Sequence, residues 1–232
     1  VAGGVLTSSD KDVLINQGLT NEMYRMYYSW QDCGTNANLI TIMEGMQDPR
    51  LPLYMTMNQG DIKCEDGSTI AAGTRYLGIR PGHDIVSKPN EYVNYSYIVL
   101  DYTTPLPVMF AAESYFLRAE GALRGWNMGG AAKDFYEEGI RTSIKHQLAY
   151  KGSFAGISSI SDADIEAYVN NTATQEDLVD PVNSKFNYKA MNNVGTKWNE
   201  SGSNEEKLQQ IIIQKWIANF PLSTEAWAEY RR

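Results

Sequence analysis

Residues 107–147 constrain the fold more than any other stretch, because their apolar side chains recur at helical spacing on both sides of a glycine pair. Before the pair, one stripe of apolar residues recurs every three or four positions: Val108, Ala112, Tyr115, Phe116, Ala119, Ala122, Leu123 and Trp126. This period indicates an amphipathic helix. Gly129 and Gly130 end it, since glycine accepts the left-handed conformation of a helix C-terminus. A second stripe follows them, so the stretch predicts a helical hairpin.

The second helix of the hairpin indicates which kind it is. Ala132, Tyr136 and Gly139 place small, aromatic and small side chains at i, i+4 and i+7, a pattern typical of a tetratricopeptide-type unit. No regular repeat of this pattern occurs elsewhere in the chain. We therefore predict a mostly α-helical protein with tetratricopeptide-like hairpins, long irregular loops and a few short strands, rather than a regular solenoid.

Shorter signals divide the rest of the chain. A short helix is expected near residues 37–46, and residues 51–104 lose helical periodicity, with a short strand expected near 95–100. A loop region of that length is usually functional. Ser161 opens a short acidic helix, and Ser203 with Glu206 forms a capping box that opens another. We predict one domain over 1–232, with a loop-rich insertion at 51–104 and core helices at 107–147 and 203–232.

Composition excludes several classes of protein. A net charge of −8 without a basic cluster argues against a nucleic-acid partner. A hydrophobic content of 43% argues against disorder, and no apolar run reaches membrane-spanning length. Cys33 and Cys64 either pair in an oxidising compartment or remain free thiols, and their spacing gives no metal or redox motif.

The sequence contains no recognisable catalytic arrangement. His83 and His146 are its two histidines, and neither lies in a local triad signature. Nucleotide-binding glycine patterns are absent. Asp61, Glu65 and Asp66 lack the spacing of a calcium loop, so a solvated acidic face is favoured over a metal site. We expect no enzyme activity, no catalytic residue, no metal and no cofactor.

Aromatic residues are the best candidates for contacting a ligand, because the chain has 15 tyrosines and five tryptophans. Those on helical stripes are assigned to the core: Tyr115, Phe116, Trp126, Phe135, Trp216 and Trp227. Residues 10–30 contain a Tyr/Met cluster and form either a helix or an extended ligand-facing loop. Rings in loops, with polar neighbours, are the predicted ligand-binding residues: Tyr76, Arg80, Tyr92, Asn94, Tyr95, Trp198 and Asn199.

Four motifs occur in the order MQDPRLPLYM, PVMFAAESYFLRAEGALRGW, AAKDFYEEGIRTSI and IIIQKWIANFPLSTEAWAEYRR. Together they resemble the SusD/RagB-like family, over residues 46–232. The resemblance implies a mostly helical fold and the C-terminal part of a longer protein. It also implies a surface-exposed outer-membrane lipoprotein of Bacteroidetes, held at the membrane by a lipid anchor outside this chain.

By the same resemblance, the protein binds an oligosaccharide and passes this nutrient to a SusC-like TonB-dependent transporter. Two alternatives remain at this point. One is a peptide-binding import lipoprotein of the RagB type, and the other is a helical protein–protein adaptor.

Overall fold

The computed structural model describes residues 11–15, 21–82 and 91–231. The α-helices in these ranges are numbered in the order of the chain. They are α1 Glu22–Tyr24, α2 Ala37–Gly45, α3 Leu51–Tyr54, α4 Ala111–Leu123, α5 Ala132–Ala155, α6 Asp162–Val169, α7 Asn204–Ala218 and α8 Ser223–Tyr230. A π-helical turn, Arg25–Ser29, continues α1. The strands β1 Val13–Ile15 and β4 Leu106–Met109 pair antiparallel, as do β2 Ile62–Lys63 and β3 Thr69–Ile70. The predicted mostly α-helical class is confirmed.

The central hairpin is formed by α4 and α5, which pack against each other and against α7. Small residues allow the close approach: a methyl group added at Gly139 would lie 2.9 Å from a carbon of the Phe116 ring. Phe116 and Tyr136 are fully buried at this contact. The hairpin predicted from the two stripes is therefore present, and its contact face is the one that the spacing indicates.

The predicted first helix extended too far at both ends. Residues 106–109 pair with β1, so Val108 lies in a strand and is half exposed. At the other end α4 stops at Leu123, and Gly125 turns the chain with a φ of 83°. Trp126 follows this turn and is 63% exposed, so its assignment to the core was wrong. Helical periodicity cannot show where a strand partner or a turn interrupts the helix.

Trp227 was also wrongly assigned to the core. It is exposed on α8. Glu229, two positions along the same helix, accepts a hydrogen bond of 2.6 Å from the buried Nζ of Lys215. Because residues two positions apart face different sides of a helix, the ion pair turns the tryptophan side of α8 toward solvent.

Capping signals located several helix starts correctly. Ser161 accepts a hydrogen bond from the backbone N–H of Asp164, and Ser203 with Glu206 forms the predicted capping box of α7. The predicted strand near 95–100 is wrong: Ile98 makes only an isolated bridge with Met55. Cys33 and Cys64 are not joined by a disulfide bond.

A buried ion pair lies where α3, α5, α6 and α7 meet. Arg50 donates two hydrogen bonds to Asp48, of 2.9 and 2.6 Å, and both side chains are excluded from solvent. The same guanidinium donates to Ser143 on α5, Tyr168 on α6 and Gln214 on α7. Every part of the charged group thus has a partner, as a buried charge requires.

Replacing Arg50 should lower the free energy of unfolding more than replacing any exposed arginine. Arg50→Met leaves the Asp48 carboxylate buried without its cation, so we expect a loss of about 3–5 kcal/mol of unfolding free energy. Arg141→Met is the matched control, because this arginine pairs with Glu166 near the surface. Its loss should be below about 1 kcal/mol. Urea unfolding of both variants measures the difference, and equal losses would contradict this account of the core.

Lys151 on α5 is the second buried cationic side chain of interest. Its Nζ donates to the backbone carbonyl of Val99, and the side chain has no solvent exposure. Burial lowers the pKa of Lys151 to about 7, because the charged form loses its hydration. Lys151 therefore joins the loop-rich region to the helical core through this hydrogen bond, and its burial favours the neutral form of the amino group.

This lowered pKa predicts a pH-dependent stability. At pH 8–9 Lys151 is mostly neutral in the folded protein and charged in the unfolded chain, whose lysines titrate near pH 10.4. The unfolded state then binds more protons, so stability rises with pH, by about 1 kcal/mol per pH unit from this residue. Urea unfolding at pH 8 and pH 9 should show that increment in the native protein and not in Lys151→Met. An identical slope in both would argue against it.

Candidate ligand-binding site

Tyr92 and Tyr95, two of the predicted ligand-binding rings, belong to a small apolar cluster in the loop-rich region. Their ring centroids lie 5.0 Å apart, edge to face, and Ile62 and Leu77 complete the buried cluster. The Tyr95 hydroxyl donates to the buried Asp180 carboxylate at 3.1 Å. Burial, with this carboxylate nearby, raises the pKa of both tyrosines. The expectation that these rings are exposed is wrong, because the region has a core of its own.

The polar companions of these rings are mostly engaged within the protein. Asn94 donates to the backbone carbonyl of Asp61 at 2.8 Å. Arg80 lies over the Tyr188 ring and donates to the carbonyl of Lys185 at 3.3 Å. Tyr76 is half-buried against the main core. Burial and the nearby Glu44 carboxylate raise the pKa of Tyr76.

Trp198 and Asn199 lie at a polar cleft of about 480 Å³. Trp198 is buried, contrary to expectation, because its ring packs 5.1 Å from that of Tyr136 on α5. Asn199 is exposed and accepts a hydrogen bond from the Ser201 hydroxyl. Of the predicted residues, these two share a concave surface. Whether any of the seven contacts a ligand stays a prediction.

The structure assembles another group of rings: Tyr24, Tyr27, Tyr28, Tyr97 and Tyr102. We call this group the aromatic patch, and we include Trp30, which ends the π-helical turn two residues after Tyr28. Tyr24 stacks on Tyr28 with centroids 4.6 Å apart and planes 15° from parallel, and Tyr102 lies 4.1 Å from Tyr24. Trp30 is 57% exposed and Tyr102 is 41% exposed. The patch thus offers ring surface to solvent above a buried base.

Hydrogen bonds hold the aromatic patch in place. The Tyr28 hydroxyl donates to the carbonyl of Ile98 at 2.8 Å, and Tyr97 donates to Val93. The N–H of Trp30 donates to the carbonyl of Arg25, five residues earlier, which is the hydrogen bond of a π-helical turn. Such turns occur frequently at functional sites. Gln31 follows with a φ of 54° and places its side-chain amide 3.1 Å from the Tyr97 hydroxyl.

The sequence signal for the patch is the high aromatic content of residues 24–30. This segment ends five positions before Thr35, which is buried. The sequence of that segment is compatible with a helix or an extended loop, and the structure shows a short helix with a π-helical turn. Tyr97 and Tyr102 come from a distant part of the chain. Only the folded chain brings them beside Tyr24 and Tyr28.

Titratable groups in the described residues serve structural roles. Asp12 accepts from the backbone N–H of Ala111 at the start of α4 and lies 2.9 Å from Nδ1 of His146. Asp61 and Asp66 accept hydrogen bonds from nearby backbone N–H groups. In the part of the chain that the structure describes, no three His, Cys, Asp or Glu side chains are arranged to hold a metal ion. His83 lies outside the described residues.

A comparison with protein families matches residues 1–232 to the SusD-like family, described as "Susd and RagB outer membrane lipoprotein". The chain belongs to the SusD-like family. This membership confirms the resemblance carried by the four motifs, and the family's members are outer-membrane lipoproteins that bind rather than transform their ligands. A search of curated proteins found no match. Among the helices described, none is long and apolar enough to cross a membrane.

Solved structures of SusD-like proteins share this fold. A SusD homologue from Bacteroides thetaiotaomicron is 35% identical with a TM-score of 0.80, over 100% of this chain and 44% of that one. A chitin-binding SusD homologue from Flavobacterium johnsoniae is 37% identical with a TM-score of 0.76, over 94% and 40%. A homologue from Bacteroides ovatus is 33% identical with a TM-score of 0.76, over 95% and 42%. The SusD-like chain therefore spans less than half the length of these relatives.

The stabilities of two tryptophan variants, one in the main core and one in the aromatic patch, test whether the patch is separate from the core. Trp198→Ala removes a buried ring from the main core, so we expect a loss of about 3–5 kcal/mol of unfolding free energy. Trp30→Ala removes a ring that is largely in solvent, and we expect a loss below about 1 kcal/mol. Thermal or urea unfolding compares them. A Trp30→Ala protein as unstable as Trp198→Ala would show that the aromatic patch is part of the core.

Proposed function

We propose that this SusD-like chain is a non-catalytic glycan-binding protein that holds an oligosaccharide on the aromatic patch. In the whole protein, the bound glycan is displayed at the cell surface and passed to a SusC-like TonB-dependent transporter. The single observation that carries the proposal is the stacked and hydrogen-bonded group of rings around Tyr24 and Tyr28. Tyr102 in this group is partly exposed, and so is Trp30, two residues after Tyr28. Family membership supports the outer-membrane setting.

The chemistry of the patch suits a sugar. Each pyranose ring has an apolar face of C–H groups that packs on an aromatic ring, while its hydroxyl groups need hydrogen-bonding partners at the rim. Gln31 and Asp32 follow Trp30 directly and are exposed there. Because the rings are already fixed by contacts within the protein, binding loses little side-chain entropy.

The relatives suggest where to begin a ligand screen. The Flavobacterium johnsoniae homologue is described as chitin-binding, and another similar structure, 27% identical over 99% of this chain, is a chitin-binding protein. We therefore propose oligosaccharides of N-acetylated amino sugars as the first class to test. The polar cleft at Trp198 and Asn199 is a second proposed contact for a long glycan, since both residues line it.

The test is calorimetric titration of the chain with chitin oligosaccharides, other β-linked and α-linked glucans, and short peptides. We expect one of the glycan classes to bind and Trp30→Ala to weaken its binding about five- to thirtyfold, because a stacked ring contributes about 1–2 kcal/mol. Trp126→Ala is the matched control, since Trp126 is as exposed and lies at the α4–α5 turn. The glycan affinity of Trp126→Ala should equal that of the unsubstituted chain.

Three results would contradict the proposal. Binding of peptides and not glycans would favour an import lipoprotein for peptides. An equal loss of glycan affinity in Trp30→Ala and Trp126→Ala would show that the glycan does not bind at the aromatic patch. Release of new reducing ends from a bound oligosaccharide would show that the protein is an enzyme.

A further inference from the structure

Gln31 brings a polar side chain to the rim of the aromatic patch. The residue is exposed, and it follows Trp30 at the end of the π-helical turn. Its side-chain nitrogen, Nε2, lies 3.1 Å from the hydroxyl oxygen of Tyr97, a patch ring that is only 5% exposed. One end of the amide is therefore held against the buried base of the patch, while the residue itself is open to solvent.

The hydroxyl of Tyr97 fixes which way the Gln31 amide points. Tyr97 has one hydroxyl proton, and it donates this proton to the backbone carbonyl of Val93 at 2.8 Å. The Tyr97 oxygen can then only accept a hydrogen bond from Gln31, and an amide donates through its nitrogen. The nitrogen of the Gln31 amide therefore faces Tyr97, and the amide oxygen, Oε1, faces away from it.

Oε1 of Gln31 is an acceptor without a donor. Among the described residues, none donates a hydrogen bond to it. A ligand hydroxyl that donates to Oε1 would extend a series of hydrogen bonds that runs through the Gln31 amide and the Tyr97 hydroxyl to the carbonyl of Val93. Hydrogen bonds in such a series polarise and strengthen one another. The acceptor is thus both oriented and strengthened before a ligand arrives.

The backbone conformation at Gln31 is one that favours glycine. Its φ of 54° lies in the left-handed region, which glycine adopts at lower cost. Gln47 has a similar φ of 56° at the end of α2. Both residues follow a helical segment, where the turn needs the backbone conformation and not a side chain. They differ in their contacts, because the Gln31 side chain bonds to a patch ring whereas the Gln47 side chain lies 3.5 Å from the Asn171 amide.

We infer that Gln31 determines which sugars the aromatic patch accepts, because its Oε1 accepts a hydrogen bond from a hydroxyl group of the stacked sugar. This inference rests on the proposed glycan-binding function and adds a specificity-determining residue to it. The apolar face of the sugar packs on exposed ring surface, and a hydroxyl at the edge of the sugar reaches Oε1. A sugar without a donor at that position leaves the acceptor unpaired and binds more weakly.

Calorimetric titration of the whole chain with chitotetraose, cellotetraose and maltotetraose tests the inference. For the probe that binds most tightly, Gln31→Met should weaken binding about two- to tenfold, the usual effect of losing one neutral hydrogen bond. Gln47→Met is the matched control, because it makes the same change at the same backbone conformation. It should bind as tightly as the unsubstituted chain, and both variants should keep the melting temperature within a few degrees.

The inference and the proposed function fail in different ways. Full affinity in Gln31→Met together with weakened binding in Trp30→Ala would overturn the inference alone. An equal loss of affinity in Gln31→Met and Gln47→Met would also overturn it, because the loss would not depend on the patch. Binding of none of the three probes would contradict the proposed function, and the inference with it.

Tyr97→Phe tests whether Tyr97 orients the Gln31 amide. This substitution keeps the ring in the patch and removes the hydroxyl that holds Nε2. Binding of the same probe should weaken in Tyr97→Phe, whereas Tyr97→Phe should cause no further loss in the Gln31→Met protein, because both changes act on one hydrogen bond to the ligand. Additive losses would show that the two residues act independently, and would overturn the orientation that the inference requires.

The need for a donor is tested on the ligand. In a series of derivatives of the probe, each carries fluorine in place of one hydroxyl group, which removes the proton at little change in size. One derivative should bind the unsubstituted chain and Gln31→Met with equal affinity, since it has no hydrogen bond to Oε1 to lose. If every derivative instead loses as much affinity in Gln31→Met as the parent probe does, Gln31 does not accept from a sugar hydroxyl and the inference fails.

Discussion

The buried pair of Arg50 and Asp48 is the interaction on which the rest of the structure depends. Two opposite charges out of water are stable only when every donor and acceptor around them is satisfied. Here those partners come from three helices, through Ser143, Tyr168 and Gln214. The positions of α5, α6 and α7 relative to α3 are therefore coupled, because displacing any one of them would leave a buried N–H group of Arg50 without one of its acceptors.

From this core, a short series of hydrogen bonds reaches the aromatic patch. The backbone of Val99 donates to Tyr54 of α3, and its carbonyl accepts from Lys151 of α5. The neighbouring carbonyl of Ile98 accepts from the Tyr28 hydroxyl. The helical core thus fixes the segment on which the patch rings rest. A loop region with its own small core and these connections holds a binding surface in one conformation, which favours affinity.

The aromatic patch has the chemistry that the proposed recognition of sugars requires. Ring stacking accepts many pyranoses, because every sugar ring has an apolar face.

The sequence was sufficient to predict the features that depend on local spacing. Helical periodicity predicted the α4–α5 hairpin, serine caps located the starts of α6 and α7, and four ordered motifs indicated the family. It was not sufficient to predict which loop rings are exposed. Tyr92, Tyr95 and Trp198 look like ligand contacts in sequence because they lie outside helices. Each is nevertheless buried in a cluster with residues from other segments of the chain.

What the sequence by itself determined is the helical class, the hairpin and the family, since these follow from the order and period of residues along the chain. What only the tertiary structure decided is which side chains face solvent. Burial depends on neighbours far apart in sequence, as when Tyr102 packs beside Tyr24, or when the buried Tyr95 hydroxyl donates to Asp180. No local pattern records such neighbours.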